Sequence, residues 1–251
     1  MGLRSPSRGF YVIIFEGRTG SSYTVSALNQ HPNVFCYPEV LARCNQMQQR
    51  ELLDALILGK SITHINPYAE DPMYGARFER SHEVGGFKVK LNDVYELEKF
   101  LDYLERHKFK LIYLKRQNIL KSAISWMNAR RLRRQYGFRW NPISKSEVQG
   151  ALYIDPDVLL DELAVRIRYE RWHETFYDAY AGKKRIFYYE NLMQNEARFF
   201  GDMFGFLEVA RHPVRGTFFK NTPDQLHEAV INYDEIRDLC VDTYFERFLD
   251  D

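Results

Sequence analysis

The sequence has few cysteines, and no two of them form a Cys-x-x-Cys pair. The 251 residues include three cysteines, and an odd number cannot be fully paired within one chain. They stand at Cys36, Cys44 and Cys240. This usage excludes a disulfide-rich scaffold and fits a reducing compartment, so we expect a cytoplasmic protein.

The sequence also lacks a long apolar run and an excess of charge of one sign. Near the N-terminus, residues 11–15 form an apolar run that is too short for a signal peptide or a membrane span. Lysine and arginine total 35 against 34 aspartates and glutamates, a formal net charge of +1. We therefore expect no integral membrane segment and no nucleic-acid partner, and any anion site must concentrate charge locally.

What the chain does contain is an alternation of apolar and amphipathic segments. Apolar segments predict strands at residues 10–15, 85–91, 110–116 and 185–190. Helical patterns follow them at residues 21–30, 92–107, 118–134 and 191–204. This order predicts an α/β fold with a mainly parallel sheet flanked by helices on both faces. With 45% hydrophobic residues, we expect residues 1–251 to form a single domain.

Two stretches, residues 39–82 and 136–157, break this alternation. We interpret both as helical or irregular excursions from the sheet and as walls of a ligand pocket. The second stretch contains Tyr136, Phe138 and Trp140, whose rings are candidates for stacking on a ligand.

The first predicted strand runs into a polar turn, RTGSS, and then into a helix. Such a turn presents N–H groups and the positive end of the helix dipole to an anion. Gly20 permits close approach, Ser21 and Ser22 add hydroxyl groups and a helix cap, and Arg18 adds charge. The turn is not a Walker A loop, because no lysine follows the glycine, and an ordinary strand-to-helix turn explains it equally well.

A second basic position ends the third predicted strand. Arg116 follows the apolar segment, and Ser122 and Ser125 lie on one face of the next helix. This arrangement suits a second phosphate. A surface arginine near ordinary helix serines would look the same.

The two segments are more specific together than apart. RTGSSY followed by LNQHP, and the later YLKRQNILKSAISW, resemble the sulfotransferases that use 3′-phosphoadenosine 5′-phosphosulfate (PAPS). The resemblance is closest to the bacterial nodulation-factor, lipopolysaccharide and trehalose type and to the carbohydrate sulfotransferases. It continues with IFYYENL, FFKNTP and INYDEI, so it runs from about residue 10 to the end of the chain. It implies a P-loop-like fold.

The resemblance also implies which residues bind the donor. The residues it assigns to the 5′-phosphosulfate are Arg18, Thr19, Gly20, Ser21, Ser22 and Tyr23. It assigns the 3′-phosphate to Arg116 and Ser125, and it makes Lys220 of FFKNTP a further nucleotide contact. Ser125 is preferred to Ser122 because it directly precedes an aromatic residue, as the family's serine precedes an aromatic or apolar one. PAPS is then the donor, 3′-phosphoadenosine 5′-phosphate (PAP) is the product, and no metal is required.

Two catalytic residues follow from the same resemblance. Glu39 matches the glutamate that the carbohydrate and trehalose enzymes carry after LxxHP, and it would accept the proton of the acceptor hydroxyl. Arg18 would stabilise the departing phosphate oxygen. Cytosolic sulfotransferases use a histidine instead, for which His82 is the substitute candidate. Lys88 and Lys90 face one side of their strand, either near the sulfuryl group or simply near solvent.

The expected function is transfer of the sulfuryl group of PAPS to a hydroxyl of a carbohydrate or glycolipid, with a small metabolite also open. A P-loop-like nucleotide or nucleoside kinase is the main alternative. It is disfavoured because the Walker lysine is missing and because a strand ends at Arg116, where a magnesium-binding carboxylate is wanted. A noncatalytic nucleotide-binding protein is the other alternative. The sequence leaves open a homo-oligomer.

Overall fold

The computed structural model describes residues 9–67, 69–75, 82–137 and 140–249. Its sheet consists of β1 (Gly9–Phe15), β2 (Val34–Glu39), β3 (Val84–Val89), β4 (Lys110–Lys115) and β5 (Lys184–Tyr188). The strand order is β2-β3-β1-β4-β5, and every pairing is parallel. The predicted α/β fold with a parallel sheet is therefore confirmed.

Helices connect and follow these strands. They are α1 (Ser21–Leu28), α2 (Gln46–Ile57), α3 (Leu97–Arg106), α4 (Ile119–Tyr136), α5 (Pro156–Ala179), α6 (Tyr189–Gln194), α7 (Glu196–Leu207), α8 (Leu226–Ala229) and α9 (Tyr233–Cys240). The alternation of apolar and amphipathic segments did not indicate β2 or α5. The helix expected at 191–204 is two helices, because Asn195 has an extended backbone and its side chain caps α7.

The described residues group into two compact units. The first contains residues 9–15, 20–115 and 173–217 and holds the whole sheet. The second contains residues 16–19, 116–172 and 218–249. The expectation of a single domain over residues 1–251 stays a prediction.

The core of the first unit lies on both faces of the sheet. All of β3 is buried, and β1, β2 and β4 are buried except at their ends, as expected for parallel strands covered on both sides. Gly86 in β3 is opposite Tyr11, and a Cβ at this glycine would lie 2.5 Å from the tyrosine ring. The glycine therefore leaves room for Tyr11, whose hydroxyl donates to the Phe35 carbonyl at 3.1 Å.

The second unit has an apolar core of its own. Side chains of α4 pack with those of α5, α8 and α9 in one cluster that includes Leu120, Leu163 and Ile236. The Asn118 amide, at the N-cap of α4, donates to the Phe248 carbonyl at 3.0 Å. The start of α4 is therefore tied to the C-terminal segment.

Candidate functional site

The start of α1 follows the polar turn after β1. Gly20 is its N-cap residue, and the first helical hydrogen bond runs from the Thr24 N–H to the Gly20 carbonyl. Within the described residues, no side chain caps this end and no acidic residue lies in its first turn. The expected cap by Ser21 or Ser22 is therefore wrong. A helix start of this kind directs N–H groups and the positive dipole end towards an anion.

Two features make glycine necessary at position 20. The Gly20 backbone has a φ of 74°, in the left-handed region that other residues adopt at a cost. A Cβ there would lie 2.9 Å from Cδ2 of Tyr189, the first residue of α6. The close approach of α6 to the start of α1 therefore leaves no space for a side chain.

A series of polar contacts in the first unit joins α1 to the ends of β2 and β3. Lys88 Nζ donates to Ser22 Oγ at 3.1 Å and to Glu39 Oε1 at 3.1 Å. Lys90 Nζ lies 3.2 Å from Oε2, the other oxygen of Glu39. The Ser22 and Tyr74 hydroxyl groups are hydrogen bonded at 3.2 Å. The structure therefore brings together the predicted base, both predicted lysines and one predicted donor-binding serine.

Glu39 reaches Lys88 because β2 is irregular at its end. The register between β2 and β3 shifts between Tyr37 and Glu39, so that Glu39 is the partner of Lys88 and Pro38 is passed over. Proline cannot donate a ladder hydrogen bond and is tolerated at such bulges. The bulge therefore places the carboxylate beside the ammonium group.

The two lysines control the ionisation of Glu39. Burial opposes a charged carboxylate, but Lys88 and Lys90 outweigh it and lower the pKa of Glu39 to about 2. Lys88 is completely buried, which favours its neutral form. Tyr74 and Glu39 outweigh this burial, so the pKa of Lys88 is raised. Glu39 is thus a carboxylate at neutral pH and Lys88 an ammonium.

In the second unit, Arg18 contacts one of the predicted 3′-phosphate residues. Its Nε donates to Ser125 Oγ at 3.1 Å, and its Nη1 donates to the Trp140 carbonyl at 3.0 Å and to Asn141 Oδ1 at 2.9 Å. The Arg18 backbone has a φ of 75°, which is uncommon for a residue with a side chain. These three contacts hold the arginine in that conformation.

Positive charge is concentrated near Arg116. Its Nη1 donates to the Arg18 carbonyl at 3.3 Å. Burial, followed by the charges of Arg116 and Lys121, lowers the pKa of Lys220 to about 8. Lys220 also forms an ion pair with Asp224. The second unit therefore contains the local concentration of positive charge that an anion site in a nearly neutral chain requires.

Arg166 of α5 is a buried residue that the sequence did not indicate. Its Nη1 donates to the Gly17 carbonyl at 3.1 Å and to Ser122 Oγ at 2.8 Å, and its Nη2 pairs with Glu162 at 2.9 Å. The sequence signal for Arg166 is its spacing of four residues from Glu162, which is typical of an ion pair on a helix. In the structure, Arg166 holds the turn after β1 through the Gly17 carbonyl, and Ser122 accepts a second hydrogen bond from Arg166.

Thr19 and Tyr23 use their side chains within the fold. Thr19 Oγ1 donates to the Glu16 carbonyl at 3.0 Å. The Tyr23 hydroxyl donates to Glu196 Oε1 at 2.7 Å, and burial together with Glu196 raises the pKa of Tyr23 to about 12. Their backbone N–H groups are therefore the parts suited to an anion.

His82 lies at the wrong edge of the sheet for a catalytic base. It precedes β3, and its ring centroid is 5.7 Å from that of Phe35. The amino ends of β2 and β3 meet here, where Val34 pairs with Val84. Glu39 is at the opposite, carboxyl edge, where parallel sheets bind their ligands.

The aromatic residues of the second irregular stretch are partly engaged in the fold. Trp140 stacks on Trp126 with ring centroids 4.8 Å apart, and the guanidinium of Arg133 lies 4.4 Å from the Trp140 ring. Tyr136 is the last residue of α4, and Phe138 lies outside the described residues. Stacking of a ligand on these rings stays a prediction.

The described ranges contain no helix that is long and apolar enough to cross a membrane. Across the same ranges, no group of three or more histidine, cysteine, aspartate or glutamate side chains could hold a metal ion. The three cysteines are free and buried.

No protein-family model and no curated protein matches the sequence. Among solved structures, a sulfotransferase from Alicyclobacillus acidocaldarius is similar, with 13% identity, a TM-score of 0.50, and coverage of 92% of this chain and 90% of that one. A sulfotransferase domain from the curacin biosynthetic pathway has 17% identity and a TM-score of 0.48, over 82% and 76% of the two chains. A sulfotransferase domain from the Synechococcus PCC 7002 olefin synthase has 15% identity and a TM-score of 0.43, over 83% and 78%. The similarity to the first of these shows that the chain has the fold of the sulfotransferases, which confirms the fold that the sequence resemblance implied.

Proposed function

We propose that this chain is a sulfotransferase that moves the sulfuryl group of PAPS to an acceptor hydroxyl. The observation that carries the proposal is the direct contact of Lys88 with both Ser22 and Glu39. Ser22 belongs to the turn that resembles the donor loop, and Glu39 is the predicted base. A single buried cation therefore links a donor-binding element to the group that would deprotonate the acceptor.

The turn after β1 suits the 5′-phosphosulfate end of the donor. The residues proposed for this end are Arg18, Thr19, Gly20, Ser21, Ser22 and Tyr23. Gly20 leaves the start of α1 open to an anion, and no acidic side chain opposes one among the described residues of its first turn. The backbone N–H groups at this helix start would accommodate phosphate oxygens.

The positive charge around Arg116 suits the 3′-phosphate. Arg116, Ser125 and Lys220 are the residues proposed for it. Burial is the largest cause of the lowered pKa of Lys220, and repulsion from Arg116 and Lys121 lowers it further. A phosphate dianion would relieve that repulsion. Each of these two groups of residues therefore suits one phosphate-bearing end of the proposed donor.

The proposed reaction uses side chains of this chain for charge and proton transfer. Glu39 would accept the proton of the acceptor hydroxyl as its oxygen bonds to sulfur. The bond between sulfur and the bridging phosphate oxygen breaks, and the electron pair stays on that oxygen. Arg18 and the N–H groups of the turn would stabilise the charge that develops there. The products are a sulfate ester and PAP, and no step of this scheme uses a metal.

The acceptor that we propose is a hydroxyl of a carbohydrate or glycolipid. Its support is the position of Glu39, which matches the glutamate of the carbohydrate and trehalose enzymes. A small-molecule hydroxyl is the alternative. A screen of both acceptor classes with radiolabelled PAPS would separate them.

The first experiment compares the melting temperature of the protein with PAP, ADP and ATP, without added magnesium. A nucleotide that binds only the folded state raises the free energy of unfolding by about 2.7 kcal/mol at 100 times its Kd. The melting temperature rises as a consequence. Stabilisation by PAP alone supports the donor site. Stabilisation by ATP would favour the kinase, and PAP binding without turnover of PAPS in the acceptor screen would favour a noncatalytic nucleotide-binding protein.

A further inference from the structure

We propose that Lys88 is a positioning residue through which donor binding activates the proton acceptor Glu39. In this inference, Lys88 withdraws from Glu39 when a sulfonate group arrives beside Ser22. The inference rests on the proposed function and concerns residues of the first unit only. It gives the contacts of a predicted base with two lysines a role in the reaction.

Lys88 is in direct contact with both predicted groups. Lys88 Nζ is 3.1 Å from Ser22 Oγ and 3.1 Å from Glu39 Oε1. One ammonium group therefore contacts the helix start that would receive the donor and also the carboxylate that would receive the proton.

The group formed by Lys88, Lys90 and Glu39 has a net positive charge. Lys88 and Lys90 carry two positive charges against the single negative charge of Glu39. The side chain of Lys88 is 0% exposed, and its ammonium lies 5.0 Å from the centroids of the Phe15 and Tyr74 rings. Ring faces attract a cation but do not neutralise it. This group of three ions, of which Lys88 is buried and Glu39 and Lys90 are partly exposed, therefore has an excess positive charge that favours an anion beside it.

Of the two ion pairs of Glu39, the one with Lys88 would break when the donor binds. Glu39 has one oxygen on Lys88 and the other on Lys90. Lys88 is the lysine that also contacts Ser22, so it is the one that a sulfonate at the helix start attracts. Glu39 then keeps only Lys90, and its proton affinity rises.

Charged and titratable groups of the described residues surround this pair. Lys88 and Lys90 face Glu39, and Tyr74 and Cys36 interact electrostatically with Lys88. Burial keeps the Cys36 thiol neutral by raising its pKa to about 12, although the hydrogen bond with Tyr11 and the charge of Lys88 act in the opposite direction. The donor sulfonate is therefore the anion that would compete with Glu39 for Lys88.

The catalytic consequence is an ordered event. The acceptor oxygen forms its bond to sulfur, the sulfur–oxygen bond to the 5′-phosphate breaks, and the proton passes to Glu39. A carboxylate held by two ammonium groups accepts that proton poorly, because both charges favour its ionised form. A carboxylate released by Lys88 accepts it better, so proton transfer becomes favourable only with a loaded donor site.

The test is a carboxyl-carbon NMR titration of Glu39 in protein labelled with ¹³C-glutamate. The Glu39 signal is assigned by its absence from the Glu39→Gln spectrum. Three samples are compared from about pH 4 to pH 7: ligand-free protein, protein with PAP, and protein with PAPS but no acceptor. We expect Glu39 to stay ionised over this range in the first two samples and to begin titrating within it when PAPS is present, because PAP lacks the sulfonate.

Two matched variants separate the roles of the lysines. In Lys88→Met, Glu39 should titrate at a higher pH than in the unsubstituted protein, and PAPS should cause no further shift. In Lys90→Met, Glu39 should also titrate at a higher pH than in the unsubstituted protein, but PAPS should still raise that pH further. The comparison of PAP with PAPS in the unsubstituted protein needs no variant and therefore does not depend on Lys88→Met folding.

The outcomes distinguish this inference from the proposed function. If PAPS and PAP both raise the melting temperature but leave the Glu39 titration equal, the coupling through Lys88 is wrong and the donor site stands. A response to PAPS that persists in Lys88→Met would also overturn the coupling. If neither nucleotide raises the melting temperature, the proposed function fails and the inference fails with it.

Discussion

Glu39 and Lys88 illustrate how neighbouring charges set the chemistry of one residue. An isolated carboxyl group titrates near pH 4.3, whereas the two lysines lower the pKa of Glu39 to about 2. The carboxylate is therefore ready to accept a hydrogen bond at any pH at which the protein works. Its basicity, however, depends on how firmly the lysines hold it.

Replacing Glu39 tests its role as the base. We expect Glu39→Ala to lower kcat by about 10²-fold or more, while the Kd of PAP changes little, because a base acts on the acceptor and not on the nucleotide. Steady-state kinetics with PAPS and titration calorimetry with PAP measure the two quantities. Glu51→Ala, at an exposed glutamate of α2, is the control for loss of a carboxylate. Unchanged turnover in Glu39→Ala would remove the residue from this role.

Arg116 can be tested through nucleotide preference. If it binds the 3′-phosphate, Arg116→Ala should weaken the binding of PAP by about tenfold or more. The affinity for ADP, which has no 3′-phosphate, should be nearly unchanged. Competition binding with both nucleotides gives the ratio. Arg134→Ala, at an exposed arginine of α4, is the matched control. A full preference for PAP in Arg116→Ala would contradict the assignment.

Lys220 makes a pH dependence of donor binding predictable. Its pKa of about 8 in the ligand-free protein means that it loses its proton as the pH rises through 8. A phosphate beside it would favour the charged form, so the Kd of PAP should increase by up to about tenfold from pH 7 to pH 9. Lys220→Arg should bind with little change over this interval, because arginine stays charged. A flat profile in the unsubstituted protein would exclude contact of Lys220 with the phosphate.

At the scale of elements, the junction of β1 and α1 depends on one glycine. β1 delivers the chain to the carboxyl edge of the sheet, and the positive φ of Gly20 begins α1 there. The approach of Tyr189 from α6 limits this position to glycine. The junction of β1 and α1 is thus shaped by backbone geometry and packing together.

Gly20→Ala tests this junction. The added methyl group would contact Tyr189, and the alanine would keep a disfavoured φ. We therefore expect a loss of about 1 to 3 kcal/mol of stability and weaker PAP binding. Thermal unfolding and PAP titration measure both effects. Gly205→Ala is the control, because a Cβ there meets nothing within 4 Å and the residue lies within α7. Equal behaviour of the two variants would show that Gly20 is not constrained.

One of the elements that sequence patterns did not indicate, β2, carries Glu39. β2 contains Pro38, and a proline argues against a strand in a central part of a sheet. In the structure β2 is an edge strand, and the register shift accommodates the proline. Its position next to β3 could be known only from strand pairing, which joins residues about 50 positions apart in the chain.

At the scale of the whole molecule, charge is balanced overall but uneven locally. The net charge of +1 predicts no general attraction for polyanions, whereas the charges around Arg116 and Lys220 favour a local anion. Function in this chain therefore depends on the distribution of charge and not on its sum.

Salt should reveal that distribution. We expect the Kd of PAP to rise several-fold between about 50 mM and 500 mM sodium chloride, because exposed parts of the site are screened within about 10 Å at 0.1 M salt. The melting temperature of the ligand-free protein should change much less. Titration calorimetry and thermal unfolding over the salt series measure the two responses. A Kd that does not depend on salt would argue against phosphate recognition by these cations.

The amino-acid sequence by itself determined the parallel α/β class, four of the strands and the position of the polar turn after β1. Apolar runs and the patterns that follow them are local, so they can be recognised without knowledge of the fold. Only the tertiary structure decided that Lys88 lies between Ser22 and Glu39, that Arg18 meets Ser125, and that Arg166 holds the turn after β1. These contacts join residues far apart in the chain, and their geometry depends on strand register and side-chain packing that no local pattern contains.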